Sequence, residues 1–174
     1  VACSECTFMS TTEERLGLLP LKPSRSIQES NNKFLEVEFL QETERYNCPL
    51  CQSPQEATIQ KKLSRCGNVL ICHLKRFGNF HDKTYKDCSH FHCLSAGRGT
   101  LAVPVSVEGV VSFTHHYTLV ATINHSGSLQ NGHYWAYIKS DDNSGYKCND
   151  TSVVKVCQSE LYNTSPYVLI YLRV

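Results

Sequence analysis

Residues 130–150 read QNGHYWAYIKSDDNSGYKCND. Gly132 opens an aromatic and β-branched run, HYWAYIK, which gives way to the polar turn SDDNSG and then to a shorter run ending in Asn149 and Asp150. The pattern predicts two strands joined by a polar hairpin. His133 starts the first strand, right after the loop SGSLQNG, and the hairpin brings Asn149 back beside it. A cysteine protease needs an imidazole to take the thiol proton, and an amide or carboxylate on the other ring nitrogen to fix tautomer and orientation. His133 and Asn149 have the residue types and the neighbourhood for those two parts. The spacing alone fits equally an ordinary surface histidine at a strand end.

Working outward, HYTLVATINH (116–125) and YVLIYLRV (167–174) are β-branched and aromatic runs bounded by Gly, Ser, Asn and Asp, which predict further strands of the same antiparallel sheet. VLICHL (69–74) reads as a buried strand, and RLGLLPLKP (15–23) as a short one ended by prolines. Ser26 followed by Glu29 is a capping-box pattern, and Ile27, Phe34, Leu35, Phe39 and Leu40 form a loosely helical apolar set, so one short helix is expected here. SVVKVCQSELY (152–162) predicts a short strand followed by a turn or helical loop. The region from Gly78 to Gly109 is turn-rich and predicts a loop or insertion with a short strand near TLAVPVSV (100–107).

The 174 residues, 41% of them hydrophobic, suffice for one domain, or a small domain plus an appendage. A net charge of +1 and a pI near 7.7, with the basic residues scattered, exclude a field strong enough to argue for nucleic acid or an anionic membrane. No apolar run approaches the roughly 18 residues of a membrane span. Ten cysteines, with Asn124, Asn149 and Asn163 each heading an N-x-S/T triplet, would suit a secreted disulfide-bonded protein. The cysteine spacing and the absence of a visible signal peptide favour a reducing compartment, cytoplasmic or nuclear. The chain opens on Val1 close to a cysteine pair and is expected to be part of a longer protein.

Cys3-x2-Cys6 and Cys48-x2-Cys51 have the spacing in which two turns each offer two thiolates to one tetrahedral Zn2+. Four sulfurs leave no open position for water, so such a site would be structural, stapling an appendage too small to bury much core. DCSHFHC (87–93) gathers Cys88, His90, His92 and Cys93 so tightly that they can seldom converge on one ion, and it reads as a polar loop.

NGHYWAYIK followed by YKCNDTSVVKV and YVLIYLRV resembles the histidine-box half of the ubiquitin-specific proteases, the papain-like deubiquitinating enzymes. YNCPLCQSPQEATIQKKLSRCGNVLICHLKRF resembles the same family's second zinc knuckle running into its "VL…HLKRF" strand. The resemblance spans nearly the whole chain. It implies an α+β fold: a papain-like palm made of a twisted antiparallel sheet, with zinc-ribbon-like fingers and the thumb helices absent. Residues 1–66 would be mainly fingers and 67–174 mainly palm. It further implies that His133 is the general base, Asn149 the orienting residue and Asp150 an adjacent acidic helper. His125, Gly132 and Tyr134 would border the channel for the ubiquitin C-terminus, and Cys3, Cys6, Cys48 and Cys51 would bind one structural Zn2+. Ubiquitin or ubiquitinated proteins would be the partners, and hydrolysis after the C-terminal Gly-Gly of ubiquitin the reaction.

The chain departs from the family's pattern in places. Gly145 and Cys148 stand where a Trp and a Phe are common ahead of the orienting residue, and Arg65, Cys66 and Gly67 where a Leu-Pro pair often precedes the VL strand. The family's cysteine box, GN-x-C-[YF], does not occur among these 174 residues. The nucleophile is therefore expected upstream in a longer protein, leaving this chain alone inactive. The alternatives are an inactive ubiquitin-binding module and a protease for a ubiquitin-like modifier such as SUMO.

Overall fold

The computed structural model describes residues 1–80, 83–87, 99–142, 144–162, 164 and 166–174. In chain order these form β1 (Ala2–Cys3), β2 (Leu19–Leu21), α1 (Ile27–Leu35), β3 (Val37–Leu40), a 3-10 turn (Glu42–Glu44), β4 (Tyr46–Cys48), β5 (Ser53–Gln55), β6 (Ala57–Gln60), β7 (Val69–Leu74), β8 (Phe77–Phe80) and β9 (Lys83–Lys86). They continue with β10 (Thr100–Val107), β11 (Val110–Gly127), β12 (Gly132–Lys139), β13 (Gly145–Asn149), β14 (Ser152–Val156), α2 (Gln158–Tyr162) and β15 (Pro166–Arg173).

An eight-stranded sheet in the order β14-β13-β12-β11-β15-β7-β2, with β10 also pairing with β11, dominates the structure. Its pairings are antiparallel, except that β2 lies parallel to β7 at the edge. β11 is the spine: it is 18 residues long and hydrogen-bonds to β10, β12 and β15 along its length. A shift in register between Leu119 and Ala121 against β15 inserts one extra residue. That bulge changes which parity faces inward, so Tyr117 and Leu119 before it, and Thr122 and Asn124 after it, are all buried.

The core joins Leu19 and Leu21 of β2, Ile27 of α1, Cys72 and Leu74 of β7, Leu101 and Val103 of β10, Leu169 and Tyr171 of β15, and Leu161 of α2. α1 begins where the sequence places it: Ser26 Oγ accepts from the Glu29 N–H (3.2 Å), and Glu29 in turn accepts from the Arg25 N–H. Ile27, fully buried, pins it to the sheet, and truncating that side chain to alanine should cost about 2–5 kcal/mol. α1 and β2 thus pack in the main core although they lie within the first 66 residues.

The helix is shorter than the apolar set predicts. It ends at Leu35, and Phe39 and Leu40 belong to β3, where Val-Glu-Phe-Leu alternates with strand period and pairs with β6. The region from Gly78 to Gly109 also holds more structure than expected. β8 and β9 form a hairpin, and β10 is a full eight-residue strand returning through Glu108 and Gly109. Both turn residues have positive φ (50° and 82°), as a two-residue turn matched to strand twist requires. Cys88, His90, His92, Cys93 and Asn163 lie outside the described residues.

A separate three-stranded sheet, β1-β6-β3, and the β4–β5 hairpin carry the four cysteines of the paired motifs. No described helix is long and apolar enough to cross a membrane.

Candidate active site

β12 and β13 pair antiparallel, with Ala136 opposite Cys148, which sets the start of β12 beside the end of β13. His133 projects at that start and Asn149 at that end. His133 Nε2 lies 2.5 Å from Asn149 Oδ1. A carbonyl oxygen can only accept, so Nε2 carries the proton and donates, leaving the Nδ1 lone pair free as a base. The Trp135 ring, two residues on and on the same face of β12, lies nearly parallel to the imidazole at 6.3 Å between centroids and 20°. His133 is exposed and Asn149 half-buried. Asp150, also exposed, occupies the turn into β14 with φ +50°, a conformation that Asp tolerates better than most residues. Among the described residues His133 makes its side-chain hydrogen bond to Asn149 and none to Asp150.

Gly127 and Gly132 close the loop between β11 and β12. Gly127 has φ +103°, and a Cβ there would stand 2.4 Å from the Asn131 carbonyl oxygen. A Cβ on Gly132 would stand 1.9 Å from His125 Nε2. Both positions therefore exclude other residues for steric reasons. His125 is not open to solvent: it is buried against Tyr134 (4.5 Å between centroids) and packs with Phe77 and Tyr167. Lys86, on β9, donates to His125 Nδ1 (3.0 Å) and to its carbonyl oxygen (2.6 Å). Burial, with the Lys86 ammonium adding to it, holds the imidazole below its usual pKa and therefore neutral. Tyr134 is more than half exposed above this stack. Phe77, Tyr85, Lys86 and the loop residues Gly127–Gln130 line a shallow open cleft of about 240 Å³ next to it.

Of the predicted site residues, then, His133 and Asn149 meet directly. His125, Gly132 and Tyr134 form one packed unit beside them, and Asp150 stands apart. Sequence reasoning missed Lys86, which comes from 39 residues away, and Trp135, whose aromatic character was read only as a strand signal. It also missed Arg76, a buried guanidinium that donates from Nε to the Pro166 carbonyl and from Nη1 to the Asp87 carbonyl, tying the β7–β8 turn to the start of β15. Asn124 is 1% exposed, so its triplet presents no free glycan acceptor.

The second cluster is the paired cysteines. The ligand atoms of Cys3, Cys6, Cys48 and Cys51 all lie within 4.8 Å of one another, with Cys3–Cys51 at 4.0 Å and Cys6–Cys48 at 3.6 Å. Four sulfurs about 2.3 Å from a common tetrahedral centre are separated by about 3.8 Å, so the cluster has metal-binding dimensions. Burial opposes ionisation of Cys48, yet the N–H groups of Cys51 and Leu50 and the neighbouring thiols outweigh it and bring that thiol to about 7. Cys51, facing Cys6, is pushed up to about 12. Sulfurs this crowded cannot all ionise unless a cation shares them, and a divalent metal meets that need.

The family model described as ubiquitin carboxyl-terminal hydrolase matches residues 7–171. Ubiquitin carboxyl-terminal hydrolase 51 of Mus musculus is 29% identical over 151 residues, covering 80% of this chain and 22% of that protein. Ubiquitin carboxyl-terminal hydrolase 4 of Vanderwaltozyma polyspora is 32% identical over 189 residues, covering 99% of this chain and 21% of that protein. The chain therefore spans about a fifth of the length of these relatives. Among solved structures, the SAGA Ubp8/Sgf11/Sus1/Sgf73 DUB module bound to ubiquitin aldehyde contains a chain that superposes with a TM-score of 0.80 at 24% identity, over 99% of this chain and 39% of that one. The shared fold is a papain-like palm with zinc-ribbon-like fingers, and with the family model covering nearly all of its length the chain belongs to the ubiquitin carboxyl-terminal hydrolase family, in its ubiquitin-specific protease group.

Proposed function

We propose that this chain is the fingers-and-palm part of a thiol-dependent deubiquitinase, residues 1–66 being mainly fingers and 67–174 mainly palm. It supplies the base and its orienting amide to a cysteine located outside these 174 residues. The observation that carries this reading is the 2.5 Å contact between His133 Nε2 and Asn149 Oδ1, which leaves Nδ1 as the free basic nitrogen.

Nδ1 of His133 takes the proton of the cysteine thiol, and the thiolate attacks the carbonyl of the bond that follows the C-terminal Gly-Gly of ubiquitin. The imidazolium returns the proton to the departing amine, and water, deprotonated by the same nitrogen, then hydrolyses the thioester. Asn149 holds the ring by accepting from Nε2–H; being neutral, it cannot offset the imidazolium charge as a carboxylate would. Asp150 makes no hydrogen bond to His133 among the described residues and acts through its field. Tyr134, Gly132 and the buried His125 form the wall beside which the ubiquitin tail is threaded, and the glycine lets His125 and the Ser126 carbonyl pack closely behind that wall. Cys3, Cys6, Cys48 and Cys51 hold one structural Zn2+, which supplies the cross-link between the β1 turn and the β4–β5 hairpin that a small sheet cannot gain from its own core. The eight described cysteines, all unpaired, support a cytoplasmic or nuclear setting.

An electrophilic ubiquitin probe tests the assignment of parts. It should leave the 174-residue chain unlabelled and should label the full-length protein at a cysteine outside Val1–Val174. Labelling at any of the ten cysteines of this chain would refute the proposal.

A further inference from the structure

Trp135 faces the same side of β12 as His133 and has a polar atom with nothing to bind. Its Nε1–H is buried without a hydrogen-bond partner among the described residues. Directly opposite on β11 stands Asn124, 1% exposed, whose Nδ2 donates to Thr122 Oγ1 and whose Oδ1 is likewise buried and unpartnered. A buried donor and a buried acceptor on residues in direct cross-strand register form a matched pair, since their Cβ atoms lie about 4.5–5.5 Å apart and one small rotation or one shared water closes the bond. Leaving both unpaired would be costly; pairing them fixes the plane of the indole. The indole plane is in turn stacked beside the His133 imidazole, and the Lys147 ammonium lies 5.9 Å from the indole centroid, a further constraint on the ring.

Building on the function proposed above, we infer that Trp135 is a positioning residue: anchored through Nε1–H to Asn124 Oδ1, it restricts rotation of the His133 ring so that Nε2–H stays on Asn149 and Nδ1 faces the incoming thiol. Trp135 touches neither thiol nor substrate in this role. It acts through His133, and its contribution belongs to the lifetime of the His133–Asn149 bond.

The test reads that bond itself, in this chain and without reference to turnover. In 15N-histidine-labelled protein the His133 Nε2–H proton should be visible as a protected, downfield signal. Trp135→Leu should speed its exchange by about tenfold or more, the ratio that corresponds to one ordinary hydrogen bond, while amide protection in β11 and β12 is kept. Trp135→Phe, which keeps a ring face but loses the Nε1–H anchor, should retain only part of the protection, between wild type and Leu; full retention would show that the Asn124 anchor contributes nothing and would overturn that part of the inference. Should the Leu variant not fold, Trp135→Met serves, because its flexible side chain fills the space without a ring face. An Nε2–H signal in a folded Leu or Met variant exchanging as slowly as in wild type would overturn the inference. A wild-type chain with no His133 Nε2–H signal would instead overturn the His133–Asn149 reading on which it rests. In the full-length enzyme the Leu variant should lower kcat with KM little changed; a change confined to KM would count against the role.

Discussion

His133 and Asn149 meet because β12 begins where β13 ends: Nε2 of the one lies 2.5 Å from Oδ1 of the other, though 16 residues separate them. The contact assigns a single task to the amide, that of holding the ring, and the task can be weighed by substitution. In the full-length enzyme Asn149→Ala should lower kcat/KM on a fluorogenic ubiquitin C-terminal substrate by about tenfold to a thousandfold. Asn149→Asp should keep most of the activity, since a carboxylate accepts the same hydrogen bond. Asp150→Ala should have the smaller effect, because its side chain makes no bond to His133 among the described residues. A larger loss for Asp150→Ala than for Asn149→Ala would move the orienting role to the carboxylate.

Purified protein should hold about one Zn2+ per chain, in keeping with four converging thiolates. Cys48→Ser should lose the metal, and with it the amide protection of the β4–β5 hairpin and of β1, while the eight-stranded sheet stays protected because its core is separate. Elemental analysis together with hydrogen exchange reads both effects. A metal-free, freshly reduced protein with protected fingers would contradict the assignment.

Gly132→Ala places a methyl group against both His125 and the Ser126 carbonyl oxygen, 2.6 Å from the latter. The His125 ring is held by Lys86, Phe77, Tyr134 and Tyr167 and has little room to yield. A loss of about 1–3 kcal/mol in urea unfolding is expected, as for other overpacked sites. An unchanged midpoint would mean that the loop relaxes freely and that the glycine is not sterically required.

His125 has a pKa held below its usual value by burial and by Lys86, so it binds a proton less readily folded than unfolded. His73 is shifted the same way by burial and Lys75. As pH falls below about 6.5 the unfolded chain takes up protons that the folded chain refuses, and stability declines until the depressed folded values are reached. Denaturation at pH 7.5 and 5.5 should show that decline, and His125→Gln should flatten it. Lys86→Met should raise the His125 pKa, measured by NMR, toward its ordinary value. A slope unaffected by His125→Gln would place the proton linkage elsewhere.

The palm was legible wherever strands carry long β-branched and aromatic runs, as in β7, β11, β12 and β15, and the α1 cap was legible because Ser26 and Glu29 act locally. β3 was absorbed into the helix because Phe39 and Leu40 continue an apolar set that helical spacing also fits, and only pairing with β6 separates them. The β8–β9 hairpin escaped because Phe-Gly-Asn-Phe and Lys-Thr-Tyr-Lys are only four residues each, the first interrupted by Gly and Asn and the second flanked by lysines, without a run of β-branched residues. At the site, residues near one another in sequence were found and distant partners were not. Lys86 reaches His125 only through the fold, and Asn124 meets Trp135 only through strand register, which no local pattern encodes.

The most direct test is the turnover of full-length protein carrying His133→Ala, measured as kcat/KM on a fluorogenic ubiquitin C-terminal substrate beside wild type. Without a base the thiol is only a few per cent ionised near pH 7, and a loss on the order of a thousandfold or more is expected, in a variant that folds as wild type does. Activity within a few-fold of wild type would contradict the assignment of His133 as the general base.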